Sequence, residues 1–425
     1  MKSPLPSCLQ PLINTLITND IRPVLVGGYL RDALMYNTTS KDIDIELYNV
    51  NSLDALTKLL APFAKAHEVG KSFGVLLLKY KSYEIDFSLP RTENKSGSGH
   101  KGFKVTTHQN IAFNHAAIRR DFTMNAMGFD LINHELLDPF HGKKDIENKI
   151  LSCVNPHTFI EDPLRLFRAI GFCARFELTC KDELIELCQN MYENDSLSSL
   201  PKERIFQELK KLLLRSQKPS IAFDLLKAMK SIGFFPELKL LSEHKKRYSE
   251  TLTILDSCAN THFEDEKQKL QLLFVVLVSR FKNSSDVIRF VTSLTEEKKF
   301  LENILSLYKA YKEVPKFEIN DATVYRLALH VKIEELASLV MFDTDMTLKN
   351  RVNTILKHAK RLHVSNKAPI ALLQGRDLIA LGIKPSQKFS ELLELAFDAQ
   401  LNGEFKTLKE AKKWLALKVS NYPLQ

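Results

Sequence analysis

The stretch Val26–Ile45, VGGYLRDALMYNTTSKDIDI, decides how this chain is read. Just before it, Pro23–Gly27 (PVLVG) is a brief apolar run that ends in a Gly27-Gly28 pair, and Tyr29–Met35 follows with a helical pattern. That order predicts a strand, a tight turn and a helix start. Glycine lets a backbone approach phosphate closely, and a helix N-terminus offers unpaired N–H groups and the positive end of a dipole. Arg31 adds a forked donor suited to phosphate or ribose. Farther along, Asp42–Leu47 alternates acidic and apolar residues, the period of a half-buried strand. Residues i and i+2 of a strand share a face, so Asp42 and Asp44 project together. Two carboxylates on one face repel and are tolerated when a divalent cation lies between them. Mg²⁺ favours such a setting, with one or two carboxylates, substrate phosphates and water. Alone, a DxD is most often the wet face of an edge strand; ten residues after a glycine turn and an Arg-Asp pair, it points to a phosphate-bearing ligand and a metal.

Working outward, Gly74–Tyr80 and Ser82–Ser88 read as further strands. Asp86, in the second of these, is the natural third carboxylate, with Glu84 and Glu46 as weaker candidates. Arg91–Val105 (RTENKSGSGHKGFKV) is polar, glycine-rich and aperiodic, which predicts a mobile loop. From Asp162 onward leucines recur at helical spacing. The expected fold class is therefore α+β: a head with a small mixed β-sheet, then an all-α remainder.

The chain has 425 residues, enough for two to four domains with real cores. Apolar residues make up 44% and charged residues 26%, which excludes a disordered or collagen-like chain. The longest apolar run, around Leu270–Ser279, is too short to span a bilayer, and no membrane association is expected. The N-terminus has two early prolines and no apolar segment of the kind a secretory leader needs. Cys8, Cys153, Cys173, Cys180, Cys188 and Cys258 form no CxxC pair, so they read as reduced thiols of a cytoplasmic protein, without a zinc site. The net charge is +9, yet residues 1–150 hold 18 Lys+Arg against 16 Asp+Glu. Most of the excess lies downstream, where it serves either solubility or a polyanionic partner such as nucleic acid.

The Val26–Ile45 stretch closely resembles the head motif of class II tRNA nucleotidyltransferases, the CCA-adding enzymes and bacterial poly(A) polymerases, within the polymerase-β nucleotidyltransferase superfamily. Further motifs carry the resemblance. Arg119-Arg120-Asp121-Phe122-Thr123-Met124-Asn125-Ala126 matches the family's RRDFTxNA segment, which implies Arg120 as a nucleotide contact and Asp121 as a group ordering the site. Leu137-Asp138-Pro139-Phe140, with Gly142 and Asp145, resembles the structural junction of head and neck. Arg91–Gly99 resembles the family's flexible loop, including its KSGSG core, which implies a part in changing from C to A addition. Leu200-Pro201-Lys202-Glu203-Arg204-Ile205 resembles a neck element whose Glu203 and Arg204 are expected to be mainly structural, holding neck to head.

In Glu161-Asp162-Pro163-Leu164-Arg165-Leu166-Phe167-Arg168, Asp162 is expected to cap a helix with Pro163 at its first position. Asp162, Arg165 and Arg168 then fall on one helical stripe, while Leu164, Phe167 and Ile170 can pack inward. A carboxylate accepts from the amino group of cytosine or adenine and a guanidinium donates to a ring acceptor, whereas uracil and guanine present a carbonyl at the amino position. The resemblance implies that Asp162 and Arg165, supported by Arg168, form the protein template for CTP and ATP. The chain departs from many relatives at Gly171, where they carry another arginine.

Several relatives hold an HD phosphohydrolase domain in the body, yet none of the twelve histidines here precedes an aspartate, so no such metal site or activity is expected. The tail, Pro369–Trp414, again resembles the family, and Lys384, Lys388, Lys406, Lys409, Lys412 and Lys413 offer charge for a tRNA elbow. The resemblance implies a nucleotidyltransferase head at residues 1–138, a base-recognising neck at 139–215, a helical body at 216–365 and a tRNA-binding tail at 366–425. It further implies a CCA-adding enzyme acting on the tRNA 3′ end with CTP and ATP. Asp42 and Asp44 would hold two Mg²⁺ ions, with Asp86 as third catalytic carboxylate, and Gly27, Gly28 and Arg31 would hold the triphosphate. An A-adding enzyme, a poly(A) polymerase and a non-catalytic tRNA-binding protein remain the alternatives, and the oligomeric state is not legible.

Overall fold

The structure is a computed structural model that describes residues 3–36, 40–50, 52–69, 75–95, 103–107, 111–381, 383–385 and 387–420. The chain divides into two compact units, Met1–Pro236 and Glu237–Gln425.

In the first unit, α1 (Gln10–Thr18) precedes β1 (Arg22–Val26), α2 (Gly27–Tyr36) and β2 (Asp42–Tyr48). The sheet continues through β3 (Ala66–Val69), β4 (Val75–Tyr80) and β5 (Tyr83–Ser88). After β6 (Arg91–Lys95) and β7 (Phe103–Thr107), β8 (Gly128–Asp130) and β9 (Glu135–Leu137) complete it. Seven strands pair in the order β3-β4-β5-β2-β1-β8-β9. Within this sheet, among the described residues, only β2 and β5 run parallel; this sets Asp42 beside Glu84 and Asp44 beside Asp86. With neighbours on both sides, β2 buries Ile43, Ile45 and Leu47 completely or nearly so. The alternation legible in the sequence therefore belongs to a central strand whose N-terminal end alone reaches water.

Arg91–Val105 departs from the expected aperiodic loop. Arg91–Lys95 and Phe103–Thr107 pair antiparallel, Arg91 with Thr107 and Lys95 with Phe103, as a separate two-stranded ribbon. Hydrogen bonding between the two arms satisfies backbone groups that the polar composition left unassigned. The Ser96–Gly99 part of the KSGSG loop lies outside the described residues.

Two helices matter for the site, α3 (Arg165–Phe176) and α4 (Lys202–Arg215). Leu166, Phe167, Ala169, Ile170, Cys173 and Ala174 form the buried side of α3, as the apolar spacing predicted. Its start differs from expectation. Asp162–Leu164 form a turn, and the helix begins at Arg165. Asp162 Oδ1 still accepts the Leu164 N–H at 3.2 Å, so the cap acts on that turn. The first unit runs past residue 215 to Pro236, where Phe234 and Phe235 pack edge-on against Phe167, with centroids 5.4 and 6.0 Å away.

The Leu137–Asp145 motif is held by local hydrogen bonds. Asp138 accepts the Gly142 and Lys143 N–H groups at 2.7 and 3.0 Å, and Asp145 accepts the Thr123 hydroxyl at 2.6 Å.

The second unit is helical. Its long apolar run becomes the helix Glu266–Val278, capped by Asp265 and buried at every position from Leu270 to Val278. Beside it, Arg280 donates to Tyr311 and Asp343. A separate tail core gathers Leu378, Leu392, Ala396, Phe405 and Leu415. Among the described residues, no helix is long and apolar enough to cross a membrane. All six cysteines are free thiols.

The two glycines of the turn differ. Gly27 has φ +74°, and a Cβ there would lie 2.5 Å from Asp44 Oδ2; at Gly28 a Cβ would meet nothing nearer than Arg31 Nη2 at 3.4 Å. Left-handed backbone costs an L-residue roughly 1–2 kcal/mol before any clash. Gly27→Ala should therefore lower the thermal midpoint by several degrees, while Gly28→Ala should leave it nearly unchanged, as differential scanning calorimetry would read.

Candidate active site

The exposed end of β2 carries Asp42 and Asp44, flanked by Asp86 on β5. The alternative third acids are otherwise engaged. Glu84 pairs with Lys79 at 2.5 Å, and Glu46 is buried, with 1% of its surface exposed. Burial around Asp44 raises its carboxyl above the usual range, and Asp86 and Asp42 raise it further against an opposing pull from Arg120. Asp86 is raised by burial, then by Asp42 and Glu84. These carboxylates thus crowd one another, an arrangement a divalent cation relieves. Among the described residues, no three acidic, histidine or cysteine side chains form a ready-made metal-ligand group.

Beyond Gly27 opens a cavity of about 740 Å³, walled by the glycine turn, the Arg119–Asn125 segment, α3 and α4. Its lining includes Gly27, Gly28, Arg31, Arg119, Arg120, Asp121, Asp162, Arg165 and Arg168, so every nucleotide-contact candidate falls on one cavity. Concentrating that many arginines is unfavourable unless anions or carbonyls hold them.

Those holding groups are present. Arg168 donates Nε and Nη2 to Asp121 Oδ2 at 2.8 and 2.5 Å. Asp121 Oδ1 accepts the Phe122 N–H at 2.8 Å and the Asn125 amide at 2.9 Å. Burial works to raise the Asp121 carboxyl, but Arg168 and these hydrogen bonds outweigh it and hold it below the usual range. Arg165 donates to the carbonyls of Thr158 and Arg119 at 2.7 and 2.6 Å, leaving its remaining N–H groups for a ligand. Arg120 donates to the Asn125 carbonyl at 3.0 Å and reaches Glu46 at 3.3 Å.

Arg31 differs from its expected role as an open fork. It is 6% exposed, bonded to Asp32 at 2.8 Å and Asn125 at 2.8 Å, and lies over the rings of Phe172 and Phe176. Most of its donors brace the turn, and the stacking explains why it is buried. Arg204 also departs from expectation. It lines the cavity and approaches Asp162 Oδ2 at 3.6 Å, so its partner is Asp162 rather than a residue of the first 138. Glu203 lines the same wall.

Sequence reasoning missed Gln207, Glu208 and Lys211 of α4, Phe172 of α3, and Arg119. The signal existed for α4: 203, 204, 207, 208 and 211 repeat at helical spacing. At Gly171 an added Cβ would meet only Leu212 Cβ, at 4.0 Å, while the adjacent Lys211 lines the cavity and bonds Glu208 at 2.9 Å. In the tail, Lys412 is paired with Asp377 at 3.2 Å, whereas Lys384, Lys406, Lys409 and Lys413 are exposed. The Lys388 side chain lies outside the described residues.

A glycine turn, a paired-carboxylate strand end and an arginine-walled cavity together define a nucleotidyltransferase head and neck. The family described as Poly A polymerase head domain matches residues 24–152, and the one described as tRNA nucleotidyltransferase domain 2 putative matches residues 261–414. A CCA-adding enzyme of Alteromonas mediterranea is 31% identical over 301 residues, 68% of this chain and 73% of that protein. The Multifunctional CCA protein of Haemophilus ducreyi is 34% identical over 221 residues, and the match spans about half of each chain. Among solved structures, the Bacillus stearothermophilus CCA-adding enzyme in complex with CTP superposes with a TM-score of 0.71 at 22% identity, covering 99% of both chains. The Thermotoga maritima CCA-adding enzyme complexed with tRNA gives 0.65 at 18% identity, covering 98% of this chain and 97% of that one. The chain belongs to the class II CCA-adding enzyme family. This nucleotidyltransferase family is generally dependent on divalent metal.

The raised Asp44 carboxyl has a consequence for stability. A group whose folded value lies above its unfolded value destabilises the fold once ionised, and that penalty disappears below the unfolded value. Without divalent cation at neutral pH, Asp44→Asn should therefore raise the thermal midpoint, with the difference vanishing in acid. Added Mg²⁺ should raise the midpoint of the wild type more than that of the variant, and the variant should lose more than about 100-fold in activity.

Proposed function

We propose that this chain is a template-independent CCA tRNA nucleotidyltransferase that adds C, C and A to a tRNA 3′ end from CTP and ATP, releasing diphosphate. The single observation that carries the reading is that the glycine turn, whose Gly27 lies against Asp44, lines one cavity together with Asp162 and Arg165. Relatives described as CCA-adding enzymes, and solved structures of such enzymes with CTP, ATP and tRNA, support it.

Asp42 and Asp44 are the residues that would hold two Mg²⁺ ions, with Asp86 as the neighbouring third carboxylate. Bound there, the cations supply Lewis-acid activation of the RNA 3′-hydroxyl and charge neutralisation of the departing diphosphate. The chain's own groups do the rest. The Gly27-Gly28 backbone accommodates the triphosphate closely, and Arg120 faces its charge. Arg31 braces that turn from beneath. Asp121 holds Arg168 and thereby the orientation of α3. Asp162 accepts from the exocyclic amino group of cytosine or adenine, and Arg165 donates to the ring acceptor. UTP and GTP present a carbonyl to the Asp162 carboxylate in place of that amino group, and the lost hydrogen bond costs about 1–3 kcal/mol.

Residues 1–138 act in this reading as head, 139–215 as neck, 216–365 as body and 366–425 as tail, with the exposed tail lysines toward the tRNA elbow. The enzyme is assigned to the cytoplasm.

Replacing Asp162 with Asn turns part of the acceptor into a donor. It should lower kcat/KM for CTP and ATP by about 10- to 100-fold while raising UTP incorporation. The direct assay uses tRNA transcripts ending at the discriminator base, at −C and at −CC, with Mg²⁺ and CTP, ATP or both. Two C additions followed by a single A are expected. Extension of the −CC transcript alone, by ATP alone, would indicate an A-adding enzyme; long A tails would indicate a poly(A) polymerase; and no extension at all would leave a tRNA-binding protein.

A further inference from the structure

Asp42, Asp44 and Glu46 occupy alternate positions of β2 and share its face, yet they meet different environments. The aspartates sit at the open strand end. Glu46 lies deeper, between Val24 of β1 and Ser88 of β5, with 1% of its surface exposed. A carboxylate buried that fully in a central strand is retained only if its charge is matched. Three groups match it: Tyr48 donates its hydroxyl to Oε1 at 2.5 Å, and the guanidinium groups of Arg120 and Arg119 approach Oε2 at 3.3 and 3.6 Å. Burial, and after it the Glu46 charge and hydrogen bond, hold the Tyr48 phenol far above its ordinary range, so the hydroxyl remains a donor.

Both arginines line the cavity, and each is connected to another part of it. The Arg119 carbonyl accepts from Arg165 at 2.6 Å. Arg120 also bonds the Asn125 carbonyl at 3.0 Å, and its buried Nε has no hydrogen-bond partner among the described residues.

We propose that Glu46 is a positioning residue. It anchors Arg119 and Arg120 as a paired cationic wall facing the nucleotide triphosphate. This rests on the nucleotidyltransferase reading of the cavity, and it concerns the triphosphate rather than the base. Loss of the anchor should therefore affect CTP and ATP alike.

The decisive variant is Glu46→Gln, which keeps the shape and an acceptor for Tyr48 but removes the charge. KM for CTP and for ATP should rise together by about tenfold, with kcat changed much less and the ratio of C to A addition unaltered. Equilibrium binding of non-reactive CTP and ATP analogues should weaken by the same factor. Phenylglyoxal labelling of Arg119 and Arg120, mapped by mass spectrometry without nucleotide, should accelerate in the variant. On an Arg119→Ala/Arg120→Ala background, Glu46→Gln should add little further loss, because the groups it positions are gone. Glu46→Asp should recover part of the binding, and it replaces Glu46→Gln as the test protein if that variant does not fold. Unchanged nucleotide binding and labelling, or a loss that adds in full on the double-alanine background, would overturn the proposal. A wild-type chain that binds no nucleotide would refute the functional reading instead, and the labelling comparison would still judge Glu46.

Discussion

The buried Asp121–Arg168 ion pair is the constraint on which the rest of the site depends. Asp121 belongs to the Arg119–Asn125 segment of the cavity wall, and Arg168 belongs to α3 on another side of it. Two guanidinium N–H groups converge on one carboxylate oxygen, while the other oxygen accepts from Phe122 and Asn125. Geometry of this kind is directional as well as strong, because a planar fork can meet the oxygen from few angles. Asn125 then passes the constraint to Arg31 and, through its own carbonyl, to Arg120. A change at Asp121 would loosen the triphosphate end and the base end of the cavity together.

Like charges lie close together in two places. Carboxylates crowd at the end of β2, and guanidinium groups crowd along the cavity wall. Segregating the two by sign creates a field suited to a metal-nucleotide complex, whose cation and phosphates reverse the same pattern. Buried carboxylates such as Glu46 and Asp121, and carbonyls such as those of Thr158 and Arg119, hold the arginines in the free enzyme. The turn at Gly27 brings the two regions into contact, because only a residue without a Cβ can lie against the Asp44 carboxylate there.

The second unit solves a simpler problem. Its central helix, Glu266–Val278, is apolar on every side and therefore needs cover all round; helices packed about it provide that cover. Arg280, Tyr311 and Asp343 form a hydrogen-bonded polar group next to this core, with Glu250 at 3.6 Å from Arg280. The net positive charge that lies downstream of residue 150 is left mainly on the surface, where lysines such as Lys406, Lys409 and Lys413 are exposed.

Much of this was legible in the residues themselves, and the reason is periodicity. Alternation along Asp42–Leu47 and Tyr83–Ser88, the glycine pair after an apolar run, and the apolar stripe of Leu166, Phe167 and Ile170 are all local patterns, and local patterns dictate strands, turns and helix faces. The candidate residues Gly27, Asp42, Asp44, Asp121, Asp162, Arg165 and Arg168 could be named for the same reason, since each sits in a short motif. Partnership was not legible. Which carboxylate holds which guanidinium depends on groups 47 residues apart for Asp121 and Arg168, and 74 apart for Glu46 and Arg120. Sequence spacing carries no information about such contacts, so Arg31 read as an open fork, Arg204 as a brace to the head, and Glu46 as a spare acid. The pairing of Arg91–Lys95 with Phe103–Thr107 was hidden because Arg91–Lys95 is polar throughout and has no apolar alternation to announce a strand. The sequence by itself determined the elements and the chemistry available to them; only the tertiary structure decided which charges are spent on one another and which remain for a ligand, because burial and long-range packing set the cost of leaving any one of them unpaired.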